Sequence, residues 1–253
     1  MQGQSESLTN TDVVPLSYEY KYLTDEIVPL KNPVGEDVAI NKTKGKPFGN
    51  DTSLNEWLSE HLVGSSCSGN TNLVPEFCRE YTEITGEKVL AVHVAKGSTE
   101  IAYWLPGSGG YEFLVEKSIL AIKSIPSNEK IGRIFFVWLQ GESDAIKDHS
   151  KTYYKEKITE LNNALKDNVG IEKFGIIRVG CFTNDERDTE IIFAQDEICS
   201  ENDDFLMLTT IATELNKKPE YMNPFVNGHY SAKGLEKLGS EAGKTLGLFS
   251  VDN

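Results

Sequence analysis

The chain has 253 residues, 39% hydrophobic and 25% charged, the balance of a globule able to bury a sizeable core. Its formal net charge is -14 with a pI near 4.8. So acidic a surface repels phosphate backbones and anionic lipid, which argues against nucleic acid or membrane partners. The four cysteines, Cys67, Cys78, Cys181 and Cys199, form no CxxC and no Cys/His zinc spacing. They read as reduced thiols, with a disulfide left open. No apolar run approaches membrane-spanning length, and the first ten residues lack a signal peptide's basic and apolar regions. Cytoplasmic is therefore the default location.

Residues 6–70 read as largely irregular, an insertion or cap punctuated by Pro15, Pro29, Pro33 and Pro47. One amphipathic helical piece, TSLNEWLSEHL, interrupts them. Regular alternation then begins. NLVPEFCREYTEIT sets Leu73, Phe77, Tyr81 and Ile84 on one helical face, with Gly86 as the stop. KVLAVHVA reads as a buried strand, YEFLVEKSILAIKSI as a helix ended by Pro126, and RIFFVWLQ as a strand. TYYKEKITELNNALKDN is a helix with Tyr154, Ile158, Leu161 and Leu165 inward. KFGIIRVGCF is a strand, TEIIFAQDEICSEN a helix, FLMLTTIA a strand, and SAKGLEKLGSEAGKTLG the closing helix. Such alternation predicts one α/β domain over 1–253, its mainly parallel sheet covered on both faces. Ligands collect beyond the carboxyl ends of such strands, which puts AKGSTE, QGESDA and the NGHYS segment on one rim.

Several residues on or near that rim could do chemistry. Ser5, in GQSE, becomes a nucleophile only if a base takes its proton; most Gly-x-Ser triplets are plain turns. His229, just before the last helix, suits a general base near neutral pH, or serves as a capping residue. Gly97 offers a backbone N–H at close approach, the part an oxyanion hole needs, or marks an ordinary turn. Tyr103 and Trp104 could stack on a sugar or pack in the core. Gln140 could donate its amide N–H to an oxyanion. Glu142 and Asp144 could be acids, metal ligands or structural acceptors; two acids so close in sequence rarely bracket one glycosidic bond. His93 reads as core, and His61 and His149 as surface.

Taken together, GQSE, AKGSTEIAYWLPG, WLQGESDA and HYSAKGLEKLG resemble, in order and approximate spacing, the SGNH (GDSL-like) hydrolases, and within them the carbohydrate and sialate O-acetylesterase branch. The third block carries the specific match. The resemblance implies a three-layer α/β/α sandwich with a flavodoxin-like sheet and no metal or organic cofactor. It implies an esterase that removes O-acetyl groups from sialic acid or xylan-type sugars through an acyl-serine intermediate. Ser5 would be the nucleophile and His229 the base. Ser5 N–H, Gly97 N–H and the Gln140 side chain would form the oxyanion hole. Glu142 and Asp144 would support the loop. The alternatives are a weak or inactive carbohydrate-binding protein on the same scaffold, or a lipase or thioesterase of the superfamily.

Two departures stand out. The family usually carries an Asp three residues before the histidine, where this chain has Val226. The expectation is a Ser–His dyad oriented by a backbone carbonyl, or an acid from elsewhere, Glu142 first; Asn227 and Asn223 are the nearest polar candidates. Family members also carry an apolar strand just before Gly-Gln-Ser, inside the sheet. Here Gly3 is preceded by two residues, so unless another segment fills the slot, the sheet lacks a central member.

Overall fold

The computed structural model describes residues 12–32, 34–36, 72–224 and 228–253. Ser5, Val226, Asn227 and the TSLNEWLSEHL piece lie outside the described residues. β1 (Ser17–Lys21) and β2 (Glu26–Pro29) form an antiparallel pair, regular structure at 17–29 where the sequence reading expected none. These strands escaped notice because two of β1's buried positions are polar. Ser17 Oγ donates to Pro15 O, and Glu19 accepts from Gly35 N and pairs with Lys21. No apolar/polar alternation marks such a strand.

Most of the remaining elements fall where the periodicity puts them; two short helices, at 142–146 and 212–215, lie in segments read as loops. α1 (Val74–Thr85) stops at Gly86, whose left-handed backbone lets its N–H reach Thr82 O. Then come β3 (Val89–Ala91), α2 (Gly109–Lys123), β4 (Phe135–Trp138), the short α3 (Glu142–Ile146) and α4 (Lys151–Asn168). β5 (Lys173–Ile177), α5 (Glu186–Glu201), β6 (Phe205–Thr209), α6 (Ala212–Leu215) and α7 (Ala232–Asp252) complete the chain. Ser108, Ser150, Asp185 and Ser231 cap α2, α4, α5 and α7 by accepting first-turn N–H groups. No helix among the described residues is long and apolar enough to cross a membrane.

The architecture is the expected three-layer α/β/α arrangement. Phe136 and Trp138 of β4, Phe174 and Ile176 of β5 and Phe205 of β6 face α4 and α5. Phe135, Val137, Ile177 and Leu208 face α1 and α7. Apolar residues on both faces mark a strand covered on both sides. Fully buried side chains such as Phe174, Ile158 and Leu161 each contribute about 1.5–3 kcal/mol relative to exposure.

Among the described residues, however, the middle layer is divided. One three-stranded sheet runs β2-β1-β3, with β3 parallel to β1. The other runs β4-β5-β6, all parallel. Between β3 and β4 lies a cavity of about 1630 Å³, larger than the roughly 300–1,000 Å³ of ordinary ligand pockets. Every residue from Val89 to Ala95 and from Ile131 to Gln140 lines it. A cavity against a sheet face touches alternate residues, because successive side chains point to opposite faces. Contact with every residue means that it borders the two strand edges. Phe77 and Tyr81 of α1 close one side, and Leu114, Lys117 and Ala121 of α2 the other. Among the described residues no strand lies between β3 and β4.

Candidate active site

The cavity reaches the carboxyl ends of β3 and β4, where Gly97, Ser98, Thr99, Gln140, Glu142 and His229 are among its lining residues. Three loops distant in sequence therefore meet on one rim, as the topology requires.

His229 sits on a small antiparallel bridge, Met222 opposite Tyr230. Asn223 N–H donates to His229 O at 2.8 Å and Ser231 N–H to Tyr221 O at 2.9 Å. Gly228, at φ 76°, packs so closely on the Phe182 ring that a Cβ there would collide with it. The imidazole is thus held from its backbone. Its Nδ1 is buried and has no hydrogen-bond partner among the described residues. Burial lowers the pKa of the ring, because charge is disfavoured where water is excluded. Glu142, the first suspect for orienting it, makes no hydrogen bond to it. Burial instead raises the Glu142 carboxyl above the usual range, opposed by its own N–H and that of Gly141 and reinforced by Asp144.

The β3 loop supplies Gly97, exposed, with an N–H that has no partner among the described residues. Ser98 follows at φ 57°, a left-handed conformation uncommon for a residue with a side chain. Trp104 Nε1 donates to Thr99 Oγ1, which donates to Lys96 O. Trp104 is 5% exposed and edge-on to Trp138, a core residue; Tyr103 is half-buried and packs over Gly110, and both line the cavity.

Gln140 ends β4 in a dense polar knot. Its Nε2 donates to Thr99 O at 3.0 Å and to Asp144 Oδ2 at 2.5 Å. Both amide hydrogens are therefore directed inward. Tyr154 OH lies 2.8 Å from Gln140 O and 3.1 Å from its Oε1, and Trp138 Nε1 donates to Tyr154 OH. Gln195, with no exposed surface, donates to Gln140 O and accepts from Val179 N. Gly141 follows at φ 151°, where a Cβ would press on Ile191. Only glycine fits there, which explains the Gly in QGESDA.

The sequence reading did not single out Tyr154 or Gln195 as parts of the site. A glutamine in the apolar stripe of a helix was the available signal for the second. His93, read as core, has its pKa lowered to about 3 by burial, with Lys117 and Lys21 adding to the effect. Among the described residues no group of three His, Cys, Asp or Glu side chains is placed to hold a metal ion.

Residues 63–246, most of the chain, match the carbohydrate esterase, sialic acid-specific acetylesterase family. The chain belongs to this family. Two solved structures share its fold. One is the X-ray structure of an Arabidopsis thaliana protein, at 16% identity and TM-score 0.62, covering 96% of this chain and 83% of that one. The other is NanS, at 12% identity and TM-score 0.61, covering 99% and 96%. No curated protein sequence matches. Membership in a carbohydrate esterase family agrees with the rim described above: a half-buried imidazole, an unpartnered loop N–H and a fixed glutamine around one opening.

Proposed function

We propose that the protein is a serine esterase that removes O-acetyl groups from a carbohydrate, with Ser5 as nucleophile and His229 as general base. Ser5 Oγ attacks the acetyl carbonyl carbon while His229 Nε2 takes the hydroxyl proton. The tetrahedral oxyanion is met by Gly97 N–H and Ser5 N–H, and by a Gln140 amide hydrogen once that hydrogen leaves Thr99 O. Collapse breaks the bond to the sugar oxygen, which His229 protonates as it leaves. Water, deprotonated by His229, then attacks the acyl-serine and releases acetate. The lowered pKa of His229 keeps the ring neutral, and able to accept a proton, at pH 7.

One observation carries the reading: His229, Gly97 and Gln140 line the same opening at the strand ends. Acetate release from O-acetylated sialic acid and from acetylated xylan tests it. Ser5→Ala should release none above background; full activity in that variant sinks the assignment. The orphaned Nδ1 of His229 favours a second reading, a binding protein on a hydrolase scaffold. Calorimetric binding of the acetylated sugar with no acetate released over hours would establish it.

A further inference from the structure

His149 reads from the sequence as a surface residue, yet its ring is drawn inward. Asp148, at φ 59°, turns the chain after α3, and His149 N–H donates to Asp144 O at 3.1 Å. The imidazole packs against Tyr153, its plane tilted 54° from that ring and the centroids 4.4 Å apart. Its Nδ1 lies 2.8 Å from Asp144 Oδ1, and its Nε2 lies 3.5 Å from Glu100 Oε2. An ionised carboxylate only accepts, so Nδ1 must carry the hydrogen.

Asp144 has no exposed surface. Its Oδ2 accepts from Ile101 N at 2.9 Å and from Gln140 Nε2 at 2.5 Å. One buried carboxylate thus grips the β3 loop, through Ile101, and the β4 end, through Gln140. Gln140 ties the same two segments a second time, by its bond to Thr99 O. Asp144 can hold both only if its own plane is fixed. His149 is the third group on it, and it occupies the oxygen that the other two leave open.

We infer that His149 is a positioning residue: by clamping Asp144 it sets the separation between the Gly97–Ile101 loop and Gln140. This rests on the proposed esterase reading only in the statement of what the separation serves. The two segments carry the groups assigned to the oxyanion, and a misplacement of about 1 Å at such groups can cost about 100-fold in rate. The role belongs to a hydrogen-bond donor rather than to a charge. An asparagine amide presents its N–H close to where Nδ1–H lies, so it should substitute.

The test compares wild type, His149→Ala and His149→Asn in the whole protein. Exchange of the Ile101 amide is followed by NMR, and kcat and KM are measured with 4-nitrophenyl acetate. His149→Ala should speed Ile101 exchange and lower kcat by about 10- to 100-fold, with KM little changed. His149→Asn should restore both. Wild-type exchange and kcat in His149→Ala would overturn the inference. So would His149→Asn behaving as His149→Ala, since the residue then acts by packing alone. Faster exchange with kcat unchanged would also overturn it, by separating the clamp from the chemistry. A wild type without esterase activity would refute the proposed function, while Ile101 exchange would still decide whether His149 holds the two segments.

Discussion

Nδ1 of His229 is enclosed by protein and bonded to nothing among the described residues. An imidazole that gains a proton during the reaction is best served by an acceptor there, and removing a carboxylate from that position can cost about 10⁴-fold in rate. Val226 stands three residues ahead in the sequence, where the resemblance leads one to expect Asp. Val226→Asp should therefore raise kcat, by about tenfold or more given that ceiling. The same substitution should move the acid limb of the pH–rate profile. With burial lowering the His229 pKa, the neutral base persists below the ordinary histidine value of about 6.5, and wild-type activity declines only on further acidification. An adjacent carboxylate stabilises the imidazolium and raises that pKa, so the limb shifts to higher pH. An unmoved profile and unchanged kcat would show that the new acid does not reach the ring. At this scale the sequence exposes residues whose chemistry is unusual for their place: His229 at a loop-to-helix junction, Gln140 at a strand end. It conceals residues such as His149, whose role depends on a reversal of the chain at Asp148 that no local pattern announces.

Among the elements, α1 and α7 owe their close approach to glycine. Gly239, Gly243 and Gly247 recur at four-residue intervals along α7, and the first two meet the carbonyls of Leu73 and Phe77, where a Cβ would collide. Gly243→Ala gains about 1 kcal/mol of helix propensity, yet overpacking against a backbone carbonyl costs about 1–3 kcal/mol. The clash should prevail, because carbonyls in α1 cannot turn aside as a side chain can. A calorimetric scan should show a lower Tm, by roughly 2–4 °C for each kcal/mol lost in a chain of this size. A Tm equal to or above wild type would mean that the helices separate without cost. Helices and central strands were legible because their apolar residues repeat at 3.6 or fill both faces. β1 and β2 were not, since the inward positions of β1 carry Ser17 and Glu19, polar residues satisfied by Pro15 O, Lys21 and Gly35 N in a way no apolar pattern announces.

For the whole molecule, the division of the middle layer is the dominant fact. β3 and Phe135–Val137 of β4 are only half-buried, whereas Phe174–Ile177 of β5 are fully buried; the half-buried positions border the cavity. The facing edges of β3 and β4 have no strand partner among the described residues, and buried backbone N–H and C=O groups are satisfied in nearly all folded proteins. The alternation of elements foretold three layers. Whether the middle one would be continuous depended on pairing between distant segments, which periodicity does not encode.

Gln140 bonds across that division to Thr99 O, and Asp144 bonds across it to Ile101 N. The half-sheets are thus sutured at the end where acetate would be released. Whatever loosens Gln140 toward an incoming ester also unpicks a stitch between the halves, so turnover and cohesion draw on the same pair of bonds.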